Sequence, residues 1–302
     1  FFIWIENNRL LAYQSIMASI TMTSSSTTNP LTTSIRQNTS KQDFVKSGKA
    51  TDENGMDYDF IVLADGHGSL SFNRDIIINF IRNYDWDKQL KFKNWYEGFT
   101  LASQDVVSKS TGAGATLSVV RIYRDRYECW WIGDSSIRIY QNCEEIWRSL
   151  DHDANNLAEH KRLKKINQGY WFKLEQKPMV LTPNTITVVP SYRAILAPRD
   201  KIAMTRSLGH RNRTGNEIEF ASIPREENES YKLVMGSDGL WDMVCDTDTT
   251  LLSSKETTAE KIMDWVYDRW QQEWTFIDKK QKHKTTFPDW NRDDICIGVF
   301  IG

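Results

Sequence analysis

Apolar residues recur along the chain in short alternating or continuous runs, which is the pattern of β-strands. The runs that predict strands are residues 58–64, 115–123, 126–133, 135–140, 185–189, 231–236 and 294–301. Several are separated by only a few polar residues, as where Arg124 and Asp125 interrupt the stretch RIYRDRYECWW. Short joints of this kind favour antiparallel hairpins over parallel crossovers.

Four longer segments have apolar residues at helical spacing, namely 72–84, 92–109, 158–167 and 256–274. In the last of these, Ile262, Trp265, Val266 and Trp270 would cover one face of a helix. We interpret its tryptophans as core residues rather than as a platform for a ligand. Strands grouped together with helices laid against them predict a layered α+β architecture.

The N-terminal part of the sequence differs in character from the rest. TMTSSSTTNPLTTS (21–34) is rich in Ser and Thr and predicts a flexible tail. The preceding stretch is a poor signal peptide, so we interpret it as upstream translated sequence or a fragment boundary, with Met17 or Met22 as the start. We therefore predict a tail over 1–34 and a single domain over 35–302. The irregular region 150–230 predicts a surface lobe.

Composition narrows the classes of function. The 302 residues are 40% hydrophobic and 26% charged, with a formal net charge of −2, which argues against a nucleic-acid partner. Four cysteines without C-x-x-C spacing favour a reducing, intracellular compartment, cytoplasmic or nuclear. No stretch approaches the roughly 18 apolar residues of a membrane span, so no membrane partner is expected. We expect a monomer.

The strand at 58–64 leads into Asp65, Gly66, His67 and Gly68. A turn is the simplest interpretation, because Asp-Gly is common turn chemistry. Other strand-like runs, however, also carry acids at their ends. These acids are Asp134, which follows one strand, Asp238, which follows another, Asp293 and Asp294, which precede a third, and Asp43, which precedes a short apolar pair.

Acids at the end of one strand and the start of its antiparallel neighbour fall on the same edge of a sheet. Carboxylates gathered there repel each other and do not ionise together without a cation. Oxygen ligands without His or Cys select hard cations, so we predict Mg²⁺ or Mn²⁺. Gly66, which lacks a Cβ, would let its carbonyl approach a metal. Two ions sharing a water would lower its pKa toward about 7 and favour hydrolysis of phosphate esters.

The order of motifs resembles that of the metal-dependent Ser/Thr protein phosphatases, the PPM or type 2C family. The matching segments are KQDF (41–44), LADGHG (63–68), GAGATLSVV (112–120), WIGDSS (131–136), LDHDANNLAEHKRL (150–163), AMTRSLGH (203–210), GSDGLWD (236–242) and RDDICIGVF (292–300). They follow the family order from about residue 36 onward. The resemblance implies a four-layer α-β-β-α sandwich, with two antiparallel sheets flanked by helix pairs and two metal ions at one end.

The resemblance also implies roles for single residues. Asp65 would bridge both ions, and the Gly66 carbonyl would bind one of them. The other direct ligands would be Asp238 and Asp293, with Asp43 supporting the site. Asp134 and Asp242, together with Asp238, would form a third, weaker metal position. His67 would protonate the leaving serine or threonine oxygen, although a purely structural role for His67 is the alternative. Arg36 would bind phosphate.

Several positions depart from the family pattern. Gln42 replaces a Glu, Ser136 replaces an Arg, His210 replaces an Asp and Asp294 replaces an Asn. Cys296 is interpreted as a small buried residue rather than a nucleophile. The spacing of seven between Arg36 and Asp43 is also loose.

Three hypotheses about function remain after this comparison. The first is an active Mg²⁺- or Mn²⁺-dependent phosphatase with phosphoprotein substrates. The second is a catalytically inactive relative that binds phosphoproteins or regulates partners. The third is another two-metal hydrolase such as a nuclease, against which the absence of a basic stripe counts. Retention of Asp65, Gly66, Asp238 and Asp293 favours the first, because a dead copy gains nothing from a cluster of like charges.

Overall fold

A computed structural model describes residues 30–38, 40–68, 74–166, 171–197, 200–278 and 281–302. Most of the predicted tail therefore lies outside the described residues. Its final part does not, since the first strand, β1 (Leu31–Arg36), pairs with a strand at 295–301 and buries Leu31 in the core. The folded domain thus begins before the predicted boundary at residue 35.

The first sheet consists of five antiparallel strands in the order β1-β17-β14-β7-β8. Its other members are β7 (Ser136–Gln141), β8 (Glu144–Arg148), β14 (Tyr231–Gly236) and β17 (Ile295–Ile301). β14 and β17 are buried along nearly their whole length, which explains their uninterrupted apolar sequence.

The second sheet has the order β12-β4-β3-β5-β6-β13, with β2 also paired to β3. Its strands are β2 (Asp43–Thr51), β3 (Asp57–Gly68), β4 (Ala113–Ala115), β5 (Leu117–Ile122), β6 (Arg126–Ile132), β12 (Leu208–Gly209) and β13 (Glu219–Pro224). All of its pairs are antiparallel, as the short joints predicted.

β3 corrects one expectation from the sequence. Residues 65–68 are not a turn, because β3 continues through them and Gly66, His67 and Gly68 pair with β4. The strand changes partner at this point, since its earlier residues pair with β5. Gly66 and Gly68 are therefore part of a strand. This strand continues beyond its pairing with β5 to the end of the sandwich.

The two sheets pack face to face over a shared apolar core. Ile61 and Leu63 of β3 contribute to it from one sheet, and Leu233 and Met235 of β14 contribute from the other. The sheets approach so closely at Gly298 that a Cβ there would lie 2.6 Å from Ile61 Cγ2. Burial of these apolar side chains, at about 25 cal/mol per Å², stabilises the packing of the two sheets.

Helices cover both outer faces. The second sheet is covered by α1 (Ile76–Asn83), α2 (Trp86–Gln89) and α3 (Trp95–Lys109), which bury Ile77, Ile81, Trp86, Trp95 and Phe99 against it. The first sheet is covered mainly by α7 (Ala259–Gln271), which begins after the Thr258 cap. Ile262, Val266 and Trp270 of α7 are spaced four apart and buried, as predicted. The result is the four-layer α-β-β-α sandwich that the motif order implied.

A third sheet packs against the helical side of the first sheet, where Val180, Ile186 and Trp274 are buried in the same apolar cluster as Val234 and Ile297. Its strands are β9 (Trp171–Thr182), β10 (Thr185–Ala197), β11 (Asp200–Ile202), β15 (Trp274–Asp278) and β16 (Gln281–Thr285), and β10 pairs parallel with β15. Most of it lies within the region 150–230 that the sequence set apart, but two strands come from later in the chain.

Three further helices are α4 (Leu157–Ile166), α5 (Asp238–Trp241) and α6 (Thr249–Ser253). Of the predicted helices, 92–109 and 256–274 are shorter than expected at their ends. Residues 72, 73 and 167 of two other predicted helices lie outside the described residues. No helix in the described part of the chain is long and apolar enough to cross a membrane.

Candidate metal centre

Asp43 and Asp65 lie opposite each other where β2 meets β3. The two residues are register partners, at the start of β2 and near the end of β3. Asp43 is almost fully buried, and its Oδ2 accepts a hydrogen bond from Ser237 Oγ at 2.9 Å. Burial raises the pKa of Asp43 to about 7, and repulsion from Asp294 and Asp238 opposes the lowering effect of its hydrogen bonds.

Ser237 joins three elements at this end of the sandwich. Its backbone N–H donates to the Cys296 carbonyl, and the Cys296 N–H donates back to Ser237 Oγ at 3.1 Å. Since the same hydroxyl donates to Asp43, it ties the end of β14 and the start of β17 to β2. The acids that follow β14 and precede β17 are thereby placed beside Asp43.

Asp238 and Asp293 approach each other because α5 packs directly on the start of β17. A Cβ at Gly239 would lie 2.0 Å from the Asp294 carbonyl oxygen, so only glycine permits this contact. Part of Asp293 reaches solvent, yet burial raises its pKa to about 9, with further repulsion from Asp238 and Asp43. The two chain segments thus contribute one carboxylate each to the same site.

Asp65 is the centre of this acidic cluster. Its pKa lies well above its usual range, first because of burial and then because of repulsion from the other acids. The acids that act on it are Asp43, Asp238, Asp293 and Asp134. The structure therefore brings together predicted carboxylates that lie on, or within two residues of, five different strands. Like charges held this close require protons or a bound cation.

The residues present fit a hydrated hard cation. Within the described residues, no three His, Cys, Asp or Glu side chains already converge as a preformed ion site. Mg²⁺, however, keeps several waters and is commonly held by one or two carboxylates. Asp134 Oδ1 is buried and finds no hydrogen-bond partner among the described residues, so it is available to a ligand. The donors are all oxygens, which suits Mg²⁺ or Mn²⁺.

Gly66 is required by packing. A Cβ at this position would lie 2.9 Å from the Gln42 carbonyl oxygen, which itself accepts a hydrogen bond from the Gly66 N–H at 3.0 Å. It would also lie 3.1 Å from Ile78 Cβ. This close fit of β3 against Gln42 and α1 is a reason for glycine that the sequence did not show. The proposed use of the Gly66 carbonyl as a metal ligand stays a prediction.

His67 is paired with a second imidazole. Its Nε2 lies 2.8 Å from His210 Nε2, and the two rings stack with centroids 4.9 Å apart. Burial lowers the pKa of His67 well below its usual range, and the neighbouring His210 lowers it further. One ring donates and the other accepts along this contact. A Cβ at Gly114 would lie 2.6 Å and 2.7 Å from the two Nε2 atoms, so glycine leaves room for the pair.

Arg36 does not join the acidic cluster. Its guanidinium carbon lies 3.6 Å from the centre of the Tyr267 ring on α7, a cation–π contact on the helical side of the first sheet. We therefore no longer assign Arg36 as the phosphate-binding residue. The loose spacing of Arg36 from Asp43 is consistent with this correction.

Asp294 is a structural residue that the sequence placed only as a substitution. It is buried, and its two carboxylate oxygens accept hydrogen bonds from the Asn38 N–H at 2.5 Å, the Ser40 hydroxyl at 2.5 Å and the Gln42 N–H at 2.8 Å. These bonds hold the segment that leads into Asp43. Neighbouring acids therefore have different tasks, since Asp293 faces the cluster and Asp294 fixes the backbone beside it.

Glu159 supports the site from the motif at 150–163. It accepts hydrogen bonds from Arg162 Nε at 3.0 Å, Arg206 Nη2 at 2.5 Å and Thr205 Oγ1 at 2.9 Å. Burial opposes its ionisation, but these bonds lower the pKa of Glu159 to about 2. The network joins α4 to the AMTRSLGH segment that carries His210.

Lys177 enters the acidic cluster from the third sheet. Its Nζ lies 2.8 Å from Asp242 Oδ1, and the charges of Asp238 and Asp134 also act on it. No spacing or motif pointed to Lys177, because it lies on a hairpin distant in sequence from the acids. Asp134 and Asp242, predicted for a third metal position, are thus near a cation of the chain itself.

The fold and the site together define an α-β-β-α sandwich with a carboxylate-rich end. The profile described as "PP2C: Protein phosphatase 2C" matches residues 71–269, about two thirds of the chain. The chain belongs to this family of Ser/Thr protein phosphatases. The matched range contains Asp134, Asp238 and Asp242 but ends before Asp293 and begins after Asp65, so the placement of those two residues rests on the structure.

Solved structures share the fold at low sequence identity. A Streptococcus agalactiae (S. agalactiae) serine/threonine phosphatase is 20% identical, with a TM-score of 0.56 over 90% of this chain and 100% of that one. A bacterial serine phosphatase is 13% identical, with a TM-score of 0.52 over 90% of this chain and 96% of that one. A C. elegans sex determining protein is 14% identical, with a TM-score of 0.50 over 90% and 64%. No curated protein matches the sequence.

Proposed function

We propose that this protein is a Mg²⁺- or Mn²⁺-dependent phosphatase that hydrolyses phosphoserine and phosphothreonine in proteins. The observation that carries the proposal is the convergence of Asp43, Asp65, Asp238 and Asp293 at one end of the sandwich. Since these groups repel one another, the folded protein gains most from a multiply charged cation at that place. Family membership supports phosphoproteins as the substrates.

The acids and the Gly66 carbonyl would hold two ions. Asp65 would hold the ions from the middle of the cluster, because the charges of Asp43, Asp238, Asp293 and Asp134 all act on it. Asp238 and Asp293 each complete one side, and Asp43 supports the site while bound to Ser237. Held there, divalent ions would supply Lewis-acid chemistry toward the phosphoryl oxygens and a bound water.

His67 would protonate the leaving serine or threonine oxygen once the negative charge of a bound phosphoryl group has raised its pKa, which burial lowers in the free protein. His67 and Asp65 are two residues apart on β3 and so share one face of the strand. His210 fixes the ring by stacking and by the contact between the two Nε2 atoms.

One observation favours the inactive, phosphoprotein-binding alternative. Arg36 is held against Tyr267, so the cluster lacks the arginine that was expected to bind the phosphate. The alternative predicts that phosphopeptides bind with no release of phosphate. A phosphatase predicts release that depends on the metal.

The deciding experiment measures phosphate release from phosphoserine and phosphothreonine peptides with Mn²⁺, Mg²⁺, Ca²⁺ or EDTA. We expect turnover with Mn²⁺ or Mg²⁺ and none with EDTA. Activity that survives exhaustive EDTA treatment would contradict the metal-dependent mechanism. Peptide binding without turnover would establish the inactive alternative, and cleavage of DNA or RNA instead would establish a nuclease. The intracellular location and the monomeric state stay predictions.

A further inference from the structure

Lys177 is the basic residue that the third sheet places against the acids of the candidate metal centre. It lies on β9, whose hairpin partner is β10, and its Nζ is 2.8 Å from Asp242 Oδ1. Both side chains are about one third exposed, at 36% and 35%. The pair therefore joins the third sheet to the segment that follows α5.

The position of Lys177 coincides with a set of acids already assigned by resemblance. Asp242, Asp238 and Asp134 are the acidic groups whose charges act on Lys177. These three were the expected ligands of a third, weaker metal ion. Asp134 is in turn affected by Lys177, so the ammonium is close enough to neutralise part of this group.

The chemistry of an ammonium suits this position. Lysine provides a compact point charge with three hydrogen-bond donors and no acceptor, so an ammonium can satisfy a carboxylate but cannot itself ligate a metal ion. A divalent ion brought to the same acids would meet a like charge within hydrogen-bonding distance of Asp242. Lysine and a third ion are thus alternatives.

Access to this position is open. A cavity of about 210 Å³ is lined by Lys177, Arg193, Asp242 and Asp293 and by the apolar rings of Trp270 and Phe287. Ions in solution can therefore reach Asp242, and nothing but the ammonium itself occupies the place beside its Oδ1 among the described contacts. Removing the lysine would leave an accessible, uncompensated carboxylate.

We propose that Lys177 is a built-in cation that takes the place of the third metal ion, so that the protein binds two ions rather than three. This inference rests on the proposed function, because it assumes that the remaining acids hold two ions. This proposal also gives the third sheet a structural role, because the Lys177–Asp242 ion pair holds that sheet against the metal centre without a bound metal.

The test counts bound Mn²⁺ per chain by isothermal titration calorimetry and by metal analysis after equilibrium dialysis. The variants are Lys177→Met, Lys177→Gln and the charge-preserving Lys177→Arg. Lys173→Met is the matched control, because Lys173 lies on the same strand and its ion pair with Glu175 is solvent-exposed. A third, weaker Mn²⁺ is expected in Lys177→Met and Lys177→Gln, with two in the wild type, Lys177→Arg and Lys173→Met.

The added ion should disappear again in the double variant Lys177→Met with Asp242→Asn, which assigns it to this position. Three ions in the wild type, or an unchanged count in both neutral variants, would overturn the inference while leaving metal-dependent turnover intact. A wild type that binds no Mn²⁺ would instead contradict the proposed function, and the inference with it. Circular dichroism of each variant verifies that the fold is retained.

Discussion

The carboxylates of Asp43 and Asp65 belong to register partners on adjacent antiparallel strands, and Asp43 is buried to 1% exposure. Cross-strand pairs of like charge are unfavourable in an ordinary sheet. Here the pair stands at the end of the sandwich, where two further chain segments add Asp238 and Asp293. The ionised acids therefore repel one another here, and either bound protons or a bound cation relieves that repulsion.

We expect Asp65→Asn to reduce phosphopeptide turnover more than any other single carboxylate change, by about 10²–10³-fold. Asp65 interacts with every other acid of the cluster, so its neutralisation weakens both proposed ion positions. Asp238→Asn and Asp293→Asn should be partly rescued by added metal through mass action. Asp59→Asn, on the same strand but paired with Lys49, serves as the control. Near-normal turnover of Asp65→Asn would refute the two-ion proposal.

Stability of the metal-free protein should fall as the pH rises. Folding raises the pKa of Asp43 from 3.8 to about 7, so the folded state binds the proton more tightly than the unfolded state. Protonated Asp43 therefore contributes on the order of a few kcal/mol to the free energy of unfolding. This contribution is complete below about pH 4 and is lost as the pH rises through about 7. Urea unfolding in EDTA at pH 5 to 8 measures this slope.

The variant Asp43→Asn should flatten that slope, and saturating Mn²⁺ should reverse it, because bound cations replace the protons. An identical slope in Asp43→Asn and in the unaltered protein would show that Asp43 is not part of a repelling cluster, whereas the overall slope also contains the opposing contribution of His67, whose pKa is lowered.

His67→Gln should leave Mn²⁺ affinity nearly unchanged while phosphopeptide turnover falls by roughly 10²–10⁴-fold. The loss should be smaller with p-nitrophenyl phosphate, whose leaving oxygen hardly needs a proton. His283→Gln, on the exposed strand β16, is the matched control. Equal losses on both substrates would remove His67 as the acid and favour its structural role beside His210.

Glu159→Gln should lower the free energy of unfolding by about 3 kcal/mol, because Arg162 and Arg206 lose their buried partner and keep only the more exposed Glu217 and Glu219. Asp105→Asn, which breaks the exposed pair with Lys109, should change it by less than about 0.5 kcal/mol. Since Glu159 accepts charged hydrogen bonds with a pKa lowered to about 2, its contribution is present above about pH 4.5 and is lost as the pH falls toward 2. Urea titrations at pH 7 and pH 3 measure both effects.

Deleting residues 1–29 should leave turnover and the unfolding midpoint unchanged, as the Ser/Thr-rich composition predicts. Deleting 1–36 removes β1 as well, with its buried Leu31 and the Thr32 hydroxyl that accepts from the Ala259 N–H. That longer deletion should cost roughly 2–5 kcal/mol. Comparable unfolding midpoints for the two truncations would show that β1 contributes little.

The sequence predicted those strands and helices in which apolar residues recur at a regular spacing or form a continuous run. The runs at 231–236 and 294–301 coincide with β14 and, within a residue, with β17, because both strands are buried on each side. It did not predict β16, whose residues are exposed and polar and form a strand only through β15. Pairing with a distant partner leaves no local signal in such a segment.

The same distinction applies to the site. Asp65, Asp238 and Asp293 could be predicted because each adjoins a strand that is itself recognisable. The partners Lys177 and Tyr267 could not, since both contacts depend on how remote elements pack. Arg36 was assigned from sequence proximity to Asp43, and packing against α7 directs it elsewhere.

The position of β17 between β1 and β14 in the first sheet has a consequence for the order of events during synthesis. β17 lies between β1 and β14, and its start carries Asp293. β1 is translated early, and its partner β17 is translated more than two hundred residues later. Strand pairing over such a long sequence separation forms slowly. The acidic end is therefore assembled after β1 to β16 have been translated, and a nascent chain still lacking β17 has no complete place for the ions.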